Sequence, residues 1–568
     1  LRPQNGIELS LNGNTSDITT ENNQQSQVFD ESSNLVSTNT LFDKSENHSK
    51  KMTIKASYLH KVSGWISDYS KRFPSEYKLD YSFEAGNNNI DQIRKTDFVS
   101  MLFSSQNQLV DRRYNTEENR MLHSLNGSWG DFIPWIFGQR NFLRGTSLKL
   151  TNRFAFITNR RNAHVTDWDT TLARFIDNSY LTNDNRYTTI DEQPGTEISK
   201  NFSKSSTNRY NKGLTITLSP KWRYFNQKNT ATQLFQNFSK SYTKFTPSAS
   251  LSFYNNQYGA YYENLSFNYS IQTDMPNLNQ LYPLVDSSNI TYLSLGNPNL
   301  KPTQRQELSV NFNHRDQHNG KSAFNYSLNT TIGKVDNFFA DSSYTDSIGR
   351  TRHYTVNANG NKYLEFSGNL NKSFKMTKNH QLQIQFNTNN DISRTPNNVN
   401  NVWNISNTFS SNNTLSLFYT YKGIWATNLK QTYNYYQSKQ RGFDNTKFDN
   451  TTITTSLSTS VNPVSKWNIG TNVNFNRATS SAGEATNFTI WNAYTSYRFL
   501  KGNNLEFKFS AMDLLHQNRS VFNSGNNNMI TQRWTNTLQQ YFMVGIAYFP
   551  RKFGKSEKSR QVDEGGDE

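Results

Sequence analysis

The chain has 568 residues and a net charge of +16; 33% of its residues are hydrophobic, 14% are aromatic and none is cysteine. Its mean hydropathy of −0.83 argues against an aliphatic-rich core. The aromatic content argues against a disordered polar chain, since disordered segments are poor in aromatics.

No run of about 18 apolar residues is present, so no transmembrane helix is available and a membrane location would require strands. The absence of cysteine removes disulfides and thiol chemistry and suits an exported protein. The basic residues are scattered among loops and turns rather than gathered in a dense stripe, so no nucleic-acid partner is expected. Lipid headgroups are the more economical counter-charge.

Taken in chain order, Leu1 is not an initiator methionine, and LRPQNGIELS has neither the basic nor the apolar region of a signal peptide. The chain is read as a mature piece or a fragment. An opening strand is predicted near Gly6–Leu11, an outer loop over Asn12–Lys50 and a short turn in Lys61–Ser75. The strand YKLDYSFEA then places Tyr77, Leu79, Tyr81, Phe83 and Ala85 on one face. A second turn falls in Ile133–Thr146. Asn159–Asn211 reads as the largest polar connection, and loops of such length are usually functional or mobile. A third turn is placed at Ser219–Trp222.

The second half is more regular. Alternation of period two recurs in LSFNYSI (Leu265, Phe267, Tyr269, Ile271), FNYSLNTTI (Phe324, Tyr326, Leu328, Ile332) and WNIGTNVNF (Trp467, Ile469, Val473, Phe475), the pattern of strands with two unlike faces. Short turns at Tyr254–Tyr262, Asn313–Lys321, Lys375–His380, Tyr421–Trp425, Asn462–Lys466 and Leu500–Asn504 take turns with longer polar connections. Aromatics flank the short turns, among them Tyr419, Tyr421, Trp425, Trp467, Tyr497 and Phe499. Stacked soluble sandwiches also alternate. Short turns alternating with long loops, and an aromatic collar, favour an outer-membrane barrel. With a closing strand at Tyr541–Phe549, ended by Pro550, about 20 antiparallel strands are expected, their polar faces lining a wet or plugged lumen. Residues 1–550 form that barrel and residues 551–568 a flexible tail.

The segment TDMPNLNQLYPLVDSSNITYLSLGNPNLKPTQRQELSVNF resembles the barrel motif of TonB-dependent receptors and of the related outer-membrane β-barrel family with a carboxypeptidase-regulatory-like domain upstream. The resemblance rests on Pro276, Gln280-Leu281, Gly296-Asn297-Pro298, Leu300, Lys301-Pro302 and the following strand. The ending SAMDLLHQNRSV…QQYFMVGIAYF is similar to that family's last hairpin. Pro298 and Pro302 fix φ and bias Asn297 and Lys301 toward extended geometry, while Gly296 permits a conformation other residues avoid. The segment thus reads as a stiff ramp setting the register of Leu308, Val310 and Phe312, with a structural role for Asn297 and Lys301. The resemblance implies an all-β, up-and-down transmembrane barrel of 22 strands, of which this chain holds about 20, lacking its first hairpin and its plug; no plug candidate precedes Gly6 and no TonB box is recognisable.

No serine-hydrolase elbow, phosphate-binding glycine loop or zinc-protease motif occurs. His314 and His318 lie in a predicted turn where four-residue spacing does not place both rings on one face. His60, His123, His353 and His516 are isolated in sequence, and Asp167–Asp169 and Asp563–Glu568 read as solvated acidic clusters. No catalytic, cofactor-binding or metal-ligating residue is singled out, no cofactor is expected, and the loops do not encode a readable ligand.

The favoured function is an outer-membrane receptor or transporter of the TonB-dependent type, with long loops extracellular and short turns and tail periplasmic. Expected partners are outer-membrane lipid and lipopolysaccharide, TonB-type coupling through a plug outside this chain, and a surface lipoprotein. The alternatives are a scaffold barrel for surface lipoproteins or secretion machinery, and a barrel enzyme.

Overall fold

The computed structural model describes residues 4–30, 32–61, 76–130, 132–137, 143, 145–289, 292–317, 322–441, 447–481, 483–500, 502–518, 520–525, 530–535 and 537–549. The turn expected in Lys61–Ser75 and the tail 551–568 fall almost wholly outside them, as does His318.

In chain order the strands are β1 Gln4–Phe29, β2 Leu35–Lys61, β3 Glu76–Ser100, β4 Gln108–Gly130, β5 Thr146–Asp169, β6 Arg174–Asp177, β7 Asn183–Ser206, β8 Tyr210–Ser219, β9 Trp222–Ala231, β10 Phe238–Phe245, β11 Ser248–Gln257, β12 Tyr261–Gln272, β13 Leu293–Leu295 and β14 Gln304–Asp316. They continue as β15 Phe324–Asp336, β16 Phe338–Thr345, β17 Thr351–Ala358, β18 Asn361–Lys375, β19 His380–Val399, β20 Val402–Tyr421, β21 Trp425–Arg441, β22 Lys447–Val464, β23 Trp467–Ser480, β24 Gly483–Phe499, β25 Leu505–Met512, β26 Ser520–Gly525, β27 Ile530–Thr535 and β28 Tyr541–Tyr548. Two short helices, α1 Phe132–Phe137 and α2 Leu278–Leu281, interrupt them.

All strands but β26 and β27 join one 26-stranded sheet, and those two form a separate hairpin. The sheet is an antiparallel meander except for two short parallel pairings, β13 with β17 and β16 with β19. It is not closed. The ladder of β1 is with β2 alone and that of β28 with β25 alone, so both edges are free among the described residues. This overturns the expected closed transmembrane barrel: closure requires the first and last strands to hydrogen-bond in a consistent stagger, and these two do not. Their outward residues are correspondingly open, Leu9 at 73% and Ile546 at 67% exposure.

Three segments of the first half read as connections are strand instead. So are longer polar connections of the second half, where β19 runs to Val399 and β20 begins at Val402, and β23 runs to Ser480 and β24 begins at Gly483. Asn12–Lys50 is mostly a two-stranded ribbon, with β1 and β2 paired from Gln4↔Lys61 to Phe29↔Leu35. Within Asn159–Asn211, β5 and β7 pair from Thr146↔Lys200 to Ala163↔Asn183. These two first-half stretches are largely polar on both faces, with only scattered apolar residues such as Ile198, so alternation is weak. Pairing with a neighbouring strand nevertheless satisfies backbone groups without needing a continuous apolar side. The third first-half correction is Ser219–Trp222, which is a break within one strand run. β8 pairs with Ile198–Ser206 and β9 with Asn185–Glu192, both on β7. Pro220 lies at the break because it has no N–H for the ladder, and the turn itself lies earlier, where Arg209 N–H donates to Ser206 C=O at 3.1 Å.

One face of the sheet is apolar in rows that follow the hydrogen-bond register. Leu148, Ile198, Leu218, Ala249, Tyr269, Leu308, Ile332, Leu364, Ile392 and Phe409 are successive cross-strand partners from β5 to β20. A second row runs Leu417, Leu429, Leu457, Val473, Trp491, and Leu11, Ile54 and Phe83 begin the band at the other edge. Many of these side chains are exposed, Ile332 at 54% and Leu457 at 41%, so they are not packed in a dry core. Where polar residues enter this face they satisfy one another. Thr388 donates to Asn413 at 2.6 Å, Asn413 to Ser411 at 2.8 Å, Ser411 to Asn390 at 2.7 Å and Asn390 back to Thr388 at 2.8 Å. Such a closed ring suits an environment without water to complete the bonds.

Candidate functional site

The opposite face is polar, and at the rim of the long connections a roof of two segments crosses to other strands. The first segment joins β12 to β14. It is closed at its base, where Thr303 N–H donates to Asp274 C=O at 3.0 Å and Asp274 N–H to the Thr303 hydroxyl at 3.1 Å. Helix α2 carries a reciprocal cap in which Asn277 and Gln280 exchange backbone-to-side-chain bonds at 3.0 and 3.1 Å, a capping box with asparagine and glutamine as its members. Leu281 is fully buried and Leu300 nearly so. Gly296 lies against this turn: a Cβ there would stand 2.4 Å from Pro283 Cδ and 2.5 Å from the Leu281 carbonyl oxygen. Asn297 N–H donates to Gln280 C=O at 2.8 Å, so the two halves of the motif seen in sequence are in direct contact.

The motif braces rather than only steering the strand that follows it. The Asn297 amide donates to Thr355 C=O at 2.9 Å. Lys301 N–H donates to the Asn357 side chain at 2.8 Å, and Asn357 donates back to Lys301 C=O at 2.9 Å. Together with the β13–β17 ladder these bonds tie the segment to the second roof piece, the β16–β17 hairpin. That hairpin's tip reaches the first strands. Ile348, 3% exposed, packs with Val36 and Phe98, and Ser37 donates to Ile348 C=O at 2.8 Å.

Between these anchorages lies a partly buried ionic network centred on Arg112. Arg112 on β4 grips Asp167 on β5 with Nε and Nη2 at 2.5 and 3.0 Å, and its Nη1 reaches Asp286 of the roof at 2.5 Å. Tyr114 donates to the other oxygen of Asp286 at 2.5 Å. Arg94 on β3 pairs with Asp43 on β2 at 2.9 Å and donates to the Ser288 hydroxyl at 3.3 Å. The Arg112 side chain is only 6% exposed, and its planar donor fork suits two carboxylates at once. Burial pushes the Asp286 carboxyl up, but hydrogen bonds from Tyr114 and Ser288 and the Arg112 charge outweigh it and hold the group below the usual carboxylate range. Gln227 and Asn229 on β9 are also buried, and the Asn229 amide donates to the Gln236 C=O at 3.0 Å. The arrangement can hold or release a cover over a polar surface; it presents no nucleophile and base aligned for group transfer.

The residues singled out in sequence fall outside this network, apart from Asp167. Asp167 is engaged by Arg112 and Asn178, and Asp169 accepts the N–H groups of Thr171 and Leu172; neither is left as a solvated cluster. His314 lies between Glu263 at 3.0 Å and Asp316 at 3.2 Å. Among the described residues no group of three or more His, Cys, Asp or Glu is placed to hold a metal ion. His60 stacks on Tyr77, and His353 stacks on Tyr292. His123 bonds Tyr81 at 2.9 Å.

Arg94, Arg112 and Tyr114 carry no local sequence pattern, and Asp286 and Ser288 lie within the quoted motif segment but outside its recognisable residues; the bonds that join them span 174 and 194 positions of sequence.

Residues 223–423 match the family described as "Outer membrane protein beta-barrel family". No curated protein matches the chain. Among solved structures the chain is similar to the copper transporter OprC, at 10% identity with 95% of this chain and 76% of that one covered and a TM-score of 0.42. It is also similar to the outer membrane transporter YddB from Escherichia coli, at 10% identity, 90% and 75% coverage and a TM-score of 0.30. A third likeness is to the RagAB peptide importer, at 8% identity, 84% and 73% coverage and a TM-score of 0.28.

Proposed function

We propose that the chain is a non-enzymatic outer-membrane receptor or transport protein. In this reading the apolar rows face lipid and the polar face, covered by the braced roof, receives and passes a solute. The observation that carries it is the register-matched apolar band opposite a hydrogen-bonded polar face, since a sheet whose outer side is wet has no use for rows of exposed Leu, Ile and Trp. The family match over residues 223–423 supports the same compartment. Gating by a plug outside this chain, energy coupling to TonB, lipopolysaccharide contact and long connections on the extracellular side belong to the reading, as does a lipoprotein partner at the roof.

The test is uptake in a strain lacking the protein, using fluorescent oligopeptides, oligosaccharides and ferric chelates as separate probes. Loss of one class, restored by the wild-type gene, is the expected result. Unchanged uptake of all three together with displaced surface lipoproteins would replace transport by a scaffold role.

A further inference from the structure

One row beyond the apolar band, on the same outer face, the register brings like charges together. Lys334 on β15 faces Lys362 on β18, Lys362 faces Arg394 on β19, Arg394 faces Asn407 on β20, Asn407 faces Lys439 on β21, and Lys439 faces Lys447 on β22. Neighbouring strands lie about 4.8 Å apart, so this row spans roughly 24 Å. Like charges directly opposite one another destabilise a sheet, and a fold that needed only solubility would alternate signs here. Two carboxylates answer the outer members, Asp336 at 3.7 Å from Lys334 and Asp449 at 3.5 Å from Lys447. Lys362, Arg394 and Lys439, all exposed, form no ion pair among the described residues.

The position of the row gives the charge a meaning. On β19 the outward stretch below Arg394 runs from Leu382 to Ile392, and on β20 the stretch below Asn407 runs from Phe409 to Tyr419. Such lengths match the 9–11 residues with which a tilted strand crosses the hydrocarbon, so the cations stand at headgroup depth. Ile332, Leu364, Ile392 and Phe409 lie just beneath them. With Lys362 and Arg394 they line one groove of about 710 Å³. Cationic above and apolar below, this groove is complementary to a molecule with phosphate at one end and acyl chains at the other.

We infer that the outer wall of β15–β21 is a binding site for a phosphorylated membrane lipid, its phosphates on Lys334, Lys362, Arg394 and Lys439 and its chains on the apolar row below. Lys and Arg donate charge-assisted bonds to phosphate oxygens, and the guanidinium of Arg394 suits bidentate contact. The inference rests on the membrane placement proposed above but does not depend on transport.

The test uses the full chain in neutral detergent micelles, titrated with bisphosphorylated lipid A, with the same lipid lacking phosphate, and with inorganic phosphate, bound lipid being read by native mass spectrometry. Tight binding of the phosphorylated lipid, weakened at least tenfold in the Lys362→Gln/Arg394→Gln double variant, is expected. Lys430→Gln, on the same strand as Lys439 but on the opposite face, should leave it unchanged. Equal binding of the two lipids, or no effect of the double variant, overturns the site; this includes the case in which the cations serve only as general interfacial anchors. Displacement of the lipid by millimolar inorganic phosphate would assign the row to a free anion and overturn the lipid. A carbonate wash of membranes, done first, separates the levels: a chain released by the wash sinks the membrane reading itself, whereas one retained but indifferent to lipid phosphate sinks only this site.

Discussion

Asp286 and Gly296 show how much of the roof depends on single atoms. Asp286→Asn preserves shape but removes the charge that Arg112 and Tyr114 address, and hydrogen bonds to charged groups are worth about 1.5–3 kcal/mol. Amide exchange of Val285–Ser288 in the variant is expected to accelerate to match, with the strands unaffected. The pH dependence follows from the lowered carboxyl. Its stabilisation is complete above the ordinary aspartate value of about 3.9 and is lost as pH falls through the lower folded value. Protection of the segment in the wild type should therefore be flat from pH 5 to 8 and fall only in acid below about pH 4; a loss between pH 6 and 7 would contradict the network. Gly296→Ala places a methyl group against Pro283 and the Leu281 carbonyl, an overpacking that costs about 1–3 kcal/mol. Faster exchange at Asn297, which bonds to Gln280, is the readout. Gly296 was read as needing a conformation other residues avoid, whereas its φ is not positive and it is the close approach of Pro283 and Leu281 that leaves no room for a side chain. The two prolines were legible from sequence because backbone restriction is a property of residue type. Asp286 was not, since its partners are set by the fold alone.

At the scale of elements, three glycines on the polar face each lie directly opposite a tyrosine, Gly213 with Tyr254, Gly333 with Tyr363 and Gly470 with Tyr494. In each pair the tyrosine ring occupies the place of the missing side chain, with ring atoms 2.1–2.8 Å from an idealised Cβ. This covering of a strand glycine by a neighbouring aromatic pins register. The Tyr363 hydroxyl also bonds Glu307 on β14.

The roof hairpin depends on a smaller contact. Ile348 at its tip buries against Val36 and Phe98, and truncating a buried isoleucine to alanine costs about 2–5 kcal/mol. Ile348→Ala is expected to expose the β16–β17 hairpin to limited proteolysis between Thr345 and Thr351 while the rest of the sheet resists; cleavage that stays at wild-type rates would show that the tip is held by other contacts. The second-half turns that fall among the described residues were readable in sequence because each is flanked by clean alternation; residues 318–321 of the turn expected at Asn313–Lys321 lie outside them. β7, and the parts of β1 and β2 between Asn12 and Lys50, were not readable, because Thr, Asn and Lys on both faces erase the period that marks a strand. The turn expected at Ser219–Trp222 was misplaced for a related reason: a proline, Pro220, between two strand-like runs looks like a turn, and only the shared partner β7 shows that both runs continue along one strand.

For the molecule as a whole, the two unlike faces were legible in the sequence and the closure was not. Alternation reports what each side of a strand touches, whereas closure depends on whether two particular edges meet, which no local pattern encodes. The environment of the apolar face can be decided by one pair of neighbours. Leu457 on β22 is 41% exposed and lies in the row Leu429, Leu457, Val473, while Ser456 points to the polar face between Lys430 and Asn474. In a water-exposed sheet Leu457→Lys would be nearly neutral, because a half-exposed lysine carries its charge into solvent. Against hydrocarbon the same change costs about 2–4 kcal/mol near the bilayer midplane, and a change on the polar face costs little. Equilibrium refolding into lipid vesicles should thus show a loss of that size for Leu457→Lys and almost none for Ser456→Lys. Equal tolerance of the two substitutions would mean that the apolar rows meet water or another protein surface, and the membrane reading would fall with them.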